Sequence, residues 1–211
     1  MFTKKLKPHI CSFADFAYKK TFNLAKLLVK YNVSANIVTF SGIGFAVLGL
    51  NFLAIESYSW AFLCLILNRV CDILDGMCAR LNGITDFGIF FDIVADYTSF
   101  ALFLWGFILA NPPQNSVSGA FMMMSLLISA ISLLTYTLTT KQDYNQINQS
   151  NIKICIWGHL QNFDTFIALC LMCLFNMFFT VISIFFGLLL LLKSLIIVSN
   201  AYYVLEIKNK N

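Results

Sequence analysis

Residues 166 to 205 form an almost continuous apolar run, and that run constrains the chain more than any other feature. At ~1.5 Å per residue, a single helix of that length would be about twice as long as the ~30 Å hydrocarbon core of a bilayer is thick. The run therefore reads as two spans joined by a tight hairpin near Asn176. Further apolar segments precede it, giving expected spans at about 36–54, 59–80, 87–110, 118–140, 159–175 and 178–205. Breaks fall at Glu56-Ser57-Tyr58, around Asn82-Gly83, at Asn111-Pro112-Pro113 and across the polar stretch 141–151. Apolar types make up 59% of the 211 residues and charged types 11%, against roughly 45–50% and 25% in a soluble domain. Both a water-soluble and a disordered chain are excluded. A transmembrane barrel would show short alternating segments instead. The expectation is an all-α membrane protein of six transmembrane helices, a single integral-membrane domain over 1–211, with no nucleic-acid partner.

Ahead of the first span, residues 12–31 mix Phe13, Phe16, Ala17, Leu24, Leu27, Leu28 and Tyr31 with Lys19, Lys20, Lys26 and Lys30. The apolar members recur at helical spacing, which predicts an amphipathic helix on the membrane surface. With six spans, one side of the membrane receives twelve of the 14 Lys and Arg residues, Arg80, Lys141 and Lys153 among them. Loops rich in Lys and Arg stay in the cytoplasm, so both termini are expected there, in a multi-pass protein of a bacterial inner membrane. The other two cations, Arg69 and Lys193, lie inside apolar segments and need partners. Asp72, three residues after Arg69, and Asp164 are the candidate partners. The seven cysteines imply no disulfide framework, because most lie in apolar runs where a thiol acts as a small hydrophobe.

Ten acidic residues exist, and five of them fall between positions 72 and 96. Asp72, Asp75, Asp92 and Asp96 lie within or at the edge of spans, where an ionised carboxylate costs about 2.5–3.5 kcal/mol on insertion scales. Asp72 and Asp75 are three apart and Asp92 and Asp96 four apart, so each pair shares a helix face. A short loop with Asn82, Gly83 and Thr85 joins the two helices. The two pairs then face each other, roughly 6–12 Å below the hairpin tip. Gly76, Ala79 and Gly88 keep that face free of bulk, and Arg80 closes the cytoplasmic end. Converging carboxylates repel unless they are protonated or share cations. Mg²⁺ or Mn²⁺ takes such oxygen ligands, and two ions would offset four Asp charges in a two-metal phosphoryl-transfer site.

The run Asp72-Ile-Leu-Asp75-Gly76-Met-Cys-Ala79-Arg80, seven residues, then Gly88-x-x-x-Asp92-x-x-x-Asp96 resembles the signature of the CDP-alcohol phosphotransferases. All eight fixed positions of D-x-x-D-G-x-x-A-R and G-x-x-x-D-x-x-x-D are present. The resemblance implies that Asp72, Asp75 and Asp92 ligate metal, and that Asp96 is both ligand and general base. It implies that Gly76, Ala79, Arg80, Thr85 and Gly88 hold the CDP moiety. The family's Pro-Asn-x-x-Thr element corresponds to Ala35-Asn36-Ile37-Val38-Thr39, which departs at the Pro position and carries Asn36 and Thr39 over as donor-binding residues. The implied reaction is attack by an alcohol hydroxyl on the lipid-linked phosphate of a CDP-activated lipid such as CDP-diacylglycerol. CMP leaves, and the enzyme is expected to work as a homodimer in the bilayer.

The acceptor alcohol is not specified by the motif. Arg69, Lys141, His159, Asp164 and Lys193 are the candidate acceptor residues, a thin basic set that leans towards an uncharged or zwitterionic alcohol. Two rivals have less support. Aromatic prenyltransferases need Asp residues four apart in their first motif, and Asp72 plus four lands on Gly76. An intramembrane cation or proton carrier would use the carboxylates but leaves Gly76, Ala79, Arg80 and Gly88 unexplained.

Overall fold

The computed structural model describes residues 21–140 and 163–203. Residues 12–20 of the expected surface helix, the stretch holding Lys141 and His159, and the C-terminal lysines lie outside the described residues. Helical residues 21–30 form α1. They are followed by α2 (Ala35–Ala54), α3 (Tyr58–Asn82), α4 (Asp86–Ala110) and α5 (Pro112–Thr140). Then come α6 (Phe163–Leu174), a 3₁₀ turn at Asn176–Phe178 and α7 (Phe179–Tyr202). The described residues contain no strand. Among the described residues, four helices, α2, α4, α5 and α7, are long and apolar enough to cross a membrane. The expected hairpin near Asn176 is the 3₁₀ turn. The expected fourth span, 118–140, begins six residues earlier at Pro112, because proline suits the first turn of a helix, where its missing N–H is not needed.

Turn chemistry sets the helix ends. Asn32 has φ 57°, and Val33 N–H donates to the Leu28 carbonyl while Asn32 N–H donates to Val29. This paired closure satisfies the last carbonyls of α1 and re-aims the chain into α2. Glu56 does the same after α2, with φ 60°, Ser57 N–H on Phe52 and Glu56 N–H on Leu53. Gly83, at φ 99°, ends α3, a conformation that costs a residue without a Cβ little. Thr85 then caps α4, its Oγ1 accepting the Gly88 N–H at 3.0 Å.

The described helices sort into two compact units, one formed by the residues up to Leu48 with Leu63–Ser99, the other by Gly49–Phe62 and the residues from Phe100 onward. In the first unit, α1 is seated by Ala25, which is fully buried against Val38, Cys71, Leu74, Met77 and Cys78. Phe22, Leu28 and Val29 flank it, so the amphipathic helix buries its apolar face in protein, while Leu24, Leu27 and Tyr31 remain exposed. Gly42 of α2 lets α3 approach closely: a Cβ there would stand 3.3 Å from Cys71 Cβ. In the second unit, Gly49 and Gly106 face Phe103 and Leu53, and Phe107 stacks on Phe179 at 5.1 Å. A packing role for the small residues of α2 therefore holds at Gly42 and Gly49. It fails at Gly44, whose Cβ would meet nothing within 4 Å. Helix α7 exposes Val181, Ile184, Phe185, Leu188, Leu192 and Leu195, a surface suited to hydrocarbon rather than water.

Candidate active site

Three helices of the first unit each bring a polar or small stripe to one place. On α3, Asn68, Asp72, Asp75 and Ala79 recur at spacings of four, three and four, one face of a helix. On α4 the stripe is Gly88, Asp92, Asp96 and Ser99, and on α2 it is Asn36, Thr39 and Gly42. Asn68 locks the deep end, its Nδ2 donating to the Gly42 carbonyl and to Ser99 Oγ, both at 3.0 Å. An amide bridging three helices in an apolar segment sets their rotation, at about 0.6 kcal/mol for an average membrane hydrogen bond. The motif does not mark Asn68. Its signal was a carboxamide next to Arg69 in an otherwise apolar run.

Above Asn68, three of the four carboxylates converge. Asp72, Asp75 and Asp92 each offer an oxygen, and the three oxygens lie within 4.8 Å of one another. Asp75 is buried, 5% exposed, and its Oδ2 accepts from Thr39 Oγ1 at 2.6 Å. The Thr39 hydroxyl also stands 3.1 Å from the Ala35 carbonyl, but it has one proton, and the shorter contact is to the carboxylate. Thr39 thus orients Asp75 as well as lining the cavity. Asp96 stands outside this set of three. It faces Arg69, whose Nη1 lies 2.6 Å from Asp72 Oδ2 and 3.5 Å from Asp96 Oδ1. A narrow cavity of about 10 Å³ is lined by all four aspartates together with Thr39, Asn68 and Ser99.

Beside it opens a cavity of about 190 Å³ lined by Asn36, Thr39, Asp75, Gly76, Ala79, Arg80, Thr85, Gly88 and Asp92. Every residue expected to bind the donor therefore borders one space. A Cβ on Gly76 would meet nothing within 4 Å, so this glycine leaves room in the cavity rather than admitting a neighbouring helix. Ile84 and Ile89, which the motif does not mark, also line it. Thr85 Oγ1 accepts in the α4 cap, which fixes this residue at the N-terminus of α4, a favourable end for anions.

Three of the five candidate acceptor residues, Arg69, Asp164 and Lys193, are among the described residues. Asp164 of α6 and Lys193 of α7 form an ion pair with each other in the second unit. Arg69 joins the carboxylates, and Lys141 and His159 lie outside the described residues. The five described cysteines are free thiols, Cys64, Cys71, Cys78 and Cys173 among them buried.

Hard oxygen donors so close together suit Mg²⁺ or Mn²⁺. Comparison with known proteins supports the same chemistry class. The chain is 31% identical over 183 residues to the inner membrane protein YnjF of Escherichia coli (strain K12), covering 86% of this chain and 89% of that one. It is 38% identical over 104 residues to an uncharacterized protein of Aquifex aeolicus (strain VF5), about half of each chain (48% and 49%). Its fold is similar to that of the Mycobacterium tuberculosis phosphatidylinositol phosphate synthase PgsA1, solved with CDP-DAG bound. That similarity has a TM-score of 0.64 at 14% identity, over 86% of this chain and 93% of the other. The model of the CDP-alcohol phosphatidyltransferase family matches residues 32–196. That match runs from the turn after α1 to within the last turns of α7 and takes in both cavities, so the chain as a whole, and not a borrowed motif, belongs to the CDP-alcohol phosphatidyltransferase family.

Proposed function

We propose that this enzyme transfers a phosphatidyl group from a CDP-activated lipid, CDP-diacylglycerol, to an uncharged or zwitterionic alcohol, releasing CMP. The observation that carries the reading is the convergence of Asp72, Asp75 and Asp92, two of which, Asp75 and Asp92, line the larger cavity. The CDP-DAG held by the similar synthase supports the choice of donor. Asp72, Asp75 and Asp92 would hold the divalent ions, two in the charge balance of four carboxylates. When bound, Mg²⁺ or Mn²⁺ neutralises the diphosphate and the charge that builds on departing CMP.

The chain's own groups supply the rest. Asn36, Gly76, Ala79 and Gly88 shape the cavity that receives the CDP head, with Thr85 presenting the α4 N-terminus. Arg80 lines the larger cavity, where its fork can pair a phosphate in two places. Asp96 takes the proton of the acceptor hydroxyl as the new phosphate ester bond forms and the bond to CMP breaks. The donor's acyl chains stay in the bilayer, which accounts for a site sunk below the α3–α4 loop.

We read α2 to α7 as six spans of one domain, with both termini and the α3–α4 loop in the cytoplasm and the protein acting as a homodimer. The acceptor class follows from the described cations: Arg69 and Lys193 are each engaged by carboxylates, which argues against a second phosphate on the acceptor. The test is CMP release from CDP-diacylglycerol by the purified protein, with Mn²⁺ or Mg²⁺ and a panel of alcohols. Turnover with a neutral alcohol that Asp96→Asn abolishes, with donor binding intact, is the expected result. Turnover without metal, or a cation flux in liposomes that needs no CDP-lipid, overturns the reading.

A further inference from the structure

We propose that Asn68, with Gly42 and Ser99, is a clamp that holds the carboxylate cluster at the spacing of a small divalent ion and so sets its preference for Mg²⁺ over Ca²⁺. Asn68 acts through the carboxylates and is thus a positioning residue. The inference rests on the metal-dependent reading above and adds the source of its ion selectivity. Three observations carry it. The Asn68 amide gives its N–H groups to both neighbouring helices, Nδ2 donating to the Gly42 carbonyl of α2 and to Ser99 Oγ of α4, each at 3.0 Å. Its orientation is fixed, because only the amide nitrogen can donate to a carbonyl. Helix α2 has no slack at this level: a Cβ on Gly42 would stand 3.3 Å from Cys71 Cβ and 3.5 Å from Asn68 Nδ2. Gly42, Asn68 and Ser99 also line, with Thr39 and all four aspartates, the cavity of about 10 Å³, room for about one water-sized sphere.

The clamp sits at equivalent places on three helices. Asn68 lies seven residues from Asp75 on α3 and Ser99 seven from Asp92 on α4, while Gly42 lies three from Thr39 on α2. Thr39 in turn donates to Asp75 Oδ2 at 2.6 Å. Seven residues rise roughly 10 Å, so a tilt of about 5° at the clamp moves a carboxylate by roughly 1 Å. Mg²⁺ takes its oxygens at about 2.0–2.1 Å in near-ideal octahedral geometry, whereas Ca²⁺ takes them at about 2.3–2.6 Å in flexible arrangements. A shift of that size changes which ion fits. A plain brace among the helices would leave the preference alone, because loss of packing weakens all ions alike. The two roles differ in the ratio of affinities.

The experiment uses the purified full chain with Mn²⁺ as the probe, read by electron paramagnetic resonance and displaced by Mg²⁺ or by Ca²⁺, with neither donor nor turnover involved. Asn68→Leu, which keeps the volume and removes both donors, is expected to raise the Ca²⁺-to-Mg²⁺ affinity ratio by roughly fivefold or more over the parent. Ser99→Ala removes one arm and is expected to raise it about two- to threefold. Gly106→Ala is the control for lost packing. A Cβ there would stand 2.9 Å from Leu53 Cβ in the second unit, so the melting temperature falls while the ratio stays that of the parent. In CMP release supported by Mg²⁺, Ca²⁺ inhibits Asn68→Leu at a correspondingly lower concentration than the parent. An unchanged ratio in a monodisperse Asn68→Leu protein overturns the proposal, and so does an equal shift in Gly106→Ala. Should Asn68→Leu not fold, Ser99→Ala decides alone, a ratio equal to the parent's being the result that overturns. A parent that binds no Mn²⁺ overturns this proposal together with the metal role of the cluster. A parent that binds Mn²⁺ and releases no CMP overturns the transferase reading and leaves the clamp standing.

Discussion

Thr39 Oγ1 donates to Asp75 Oδ2 across 2.6 Å, from α2 to α3. A hydroxyl bound to one oxygen of a carboxylate leaves the other free and fixes its direction. Removing such a support typically costs about 10–100-fold in metal affinity or activity. Thr39→Val, which keeps the shape and loses the proton, is therefore expected to weaken Mn²⁺ binding at least tenfold. Thr39→Ser is expected to stay close to the parent. Equal affinity in all three proteins, by Mn²⁺ titration, would mean that Asp75 is oriented by packing alone.

Gly76 separates folding from binding. Its Cβ position is open and it borders the larger cavity. Gly76→Val should leave the melting temperature of the detergent-solubilised protein within about two degrees, since no neighbour has to move and surface-like changes cost within ~0.5 kcal/mol. Donor affinity should fall at least tenfold, measured by competition with a fluorescent CDP-lipid. A large drop in melting temperature would show that the open face is closed by something else.

Removal of divalent ions should stop CMP release without unfolding the protein. Asn68 and Gly42 join α2, α3 and α4 without using the carboxylates. Chelation with EDTA is expected to abolish turnover, and Mn²⁺ or Mg²⁺ to restore it, with the helical circular dichroism signal unchanged throughout. Turnover that survives chelation contradicts a metal role for the cluster.

Asp164 and Lys193 predict a stability effect rather than a catalytic one. Both side chains are about one-fifth exposed, at 22% and 20%, and breaking one partner of such a pair strands the other charge, at ~3 kcal/mol. Lys193→Met and Asp164→Leu should each lower the melting temperature, and the double variant should recover most of the loss. Single variants that melt like the parent but lose affinity for the acceptor would place the pair in the acceptor site instead.

Orientation in the membrane is tested by introducing one thiol at a time, Asn82→Cys or Ser59→Cys, in a background without other cysteines. Asn82 is the last residue of α3, at its cytoplasmic end in the proposed topology, and Ser59 lies at the opposite end of α3. A membrane-impermeant thiol reagent added to right-side-out spheroplasts should label the Ser59→Cys variant and spare the Asn82→Cys variant. The reverse pattern inverts the topology.

The amino-acid sequence alone was enough for the class of fold, the limits of α2, α3 and α4 to within two residues, and the meeting of Asp72 and Asp75 with Asp92. A bilayer allows few structures: each backbone group must be satisfied within its own helix, so apolar length becomes span length. A carboxylate in such a span is costly enough that its spacing has meaning by itself. Tertiary structure decided what spacing cannot express, namely which oxygen meets which partner. Thr39 sits 36 residues from Asp75, and only the close contact at Gly42 brings the two together. Asn68 meets Ser99 and Gly42 because three helices rotate to share one floor, a matter of packing at particular faces. Helical periodicity placed Arg69 within reach of Asp72, but its reach to Asp96 needed the distance between α3 and α4. That Asp72, Asp75 and Asp92 bring oxygens within 4.8 Å of one another, and that Arg69 reaches both Asp72 and Asp96, was therefore settled by how the helices pack.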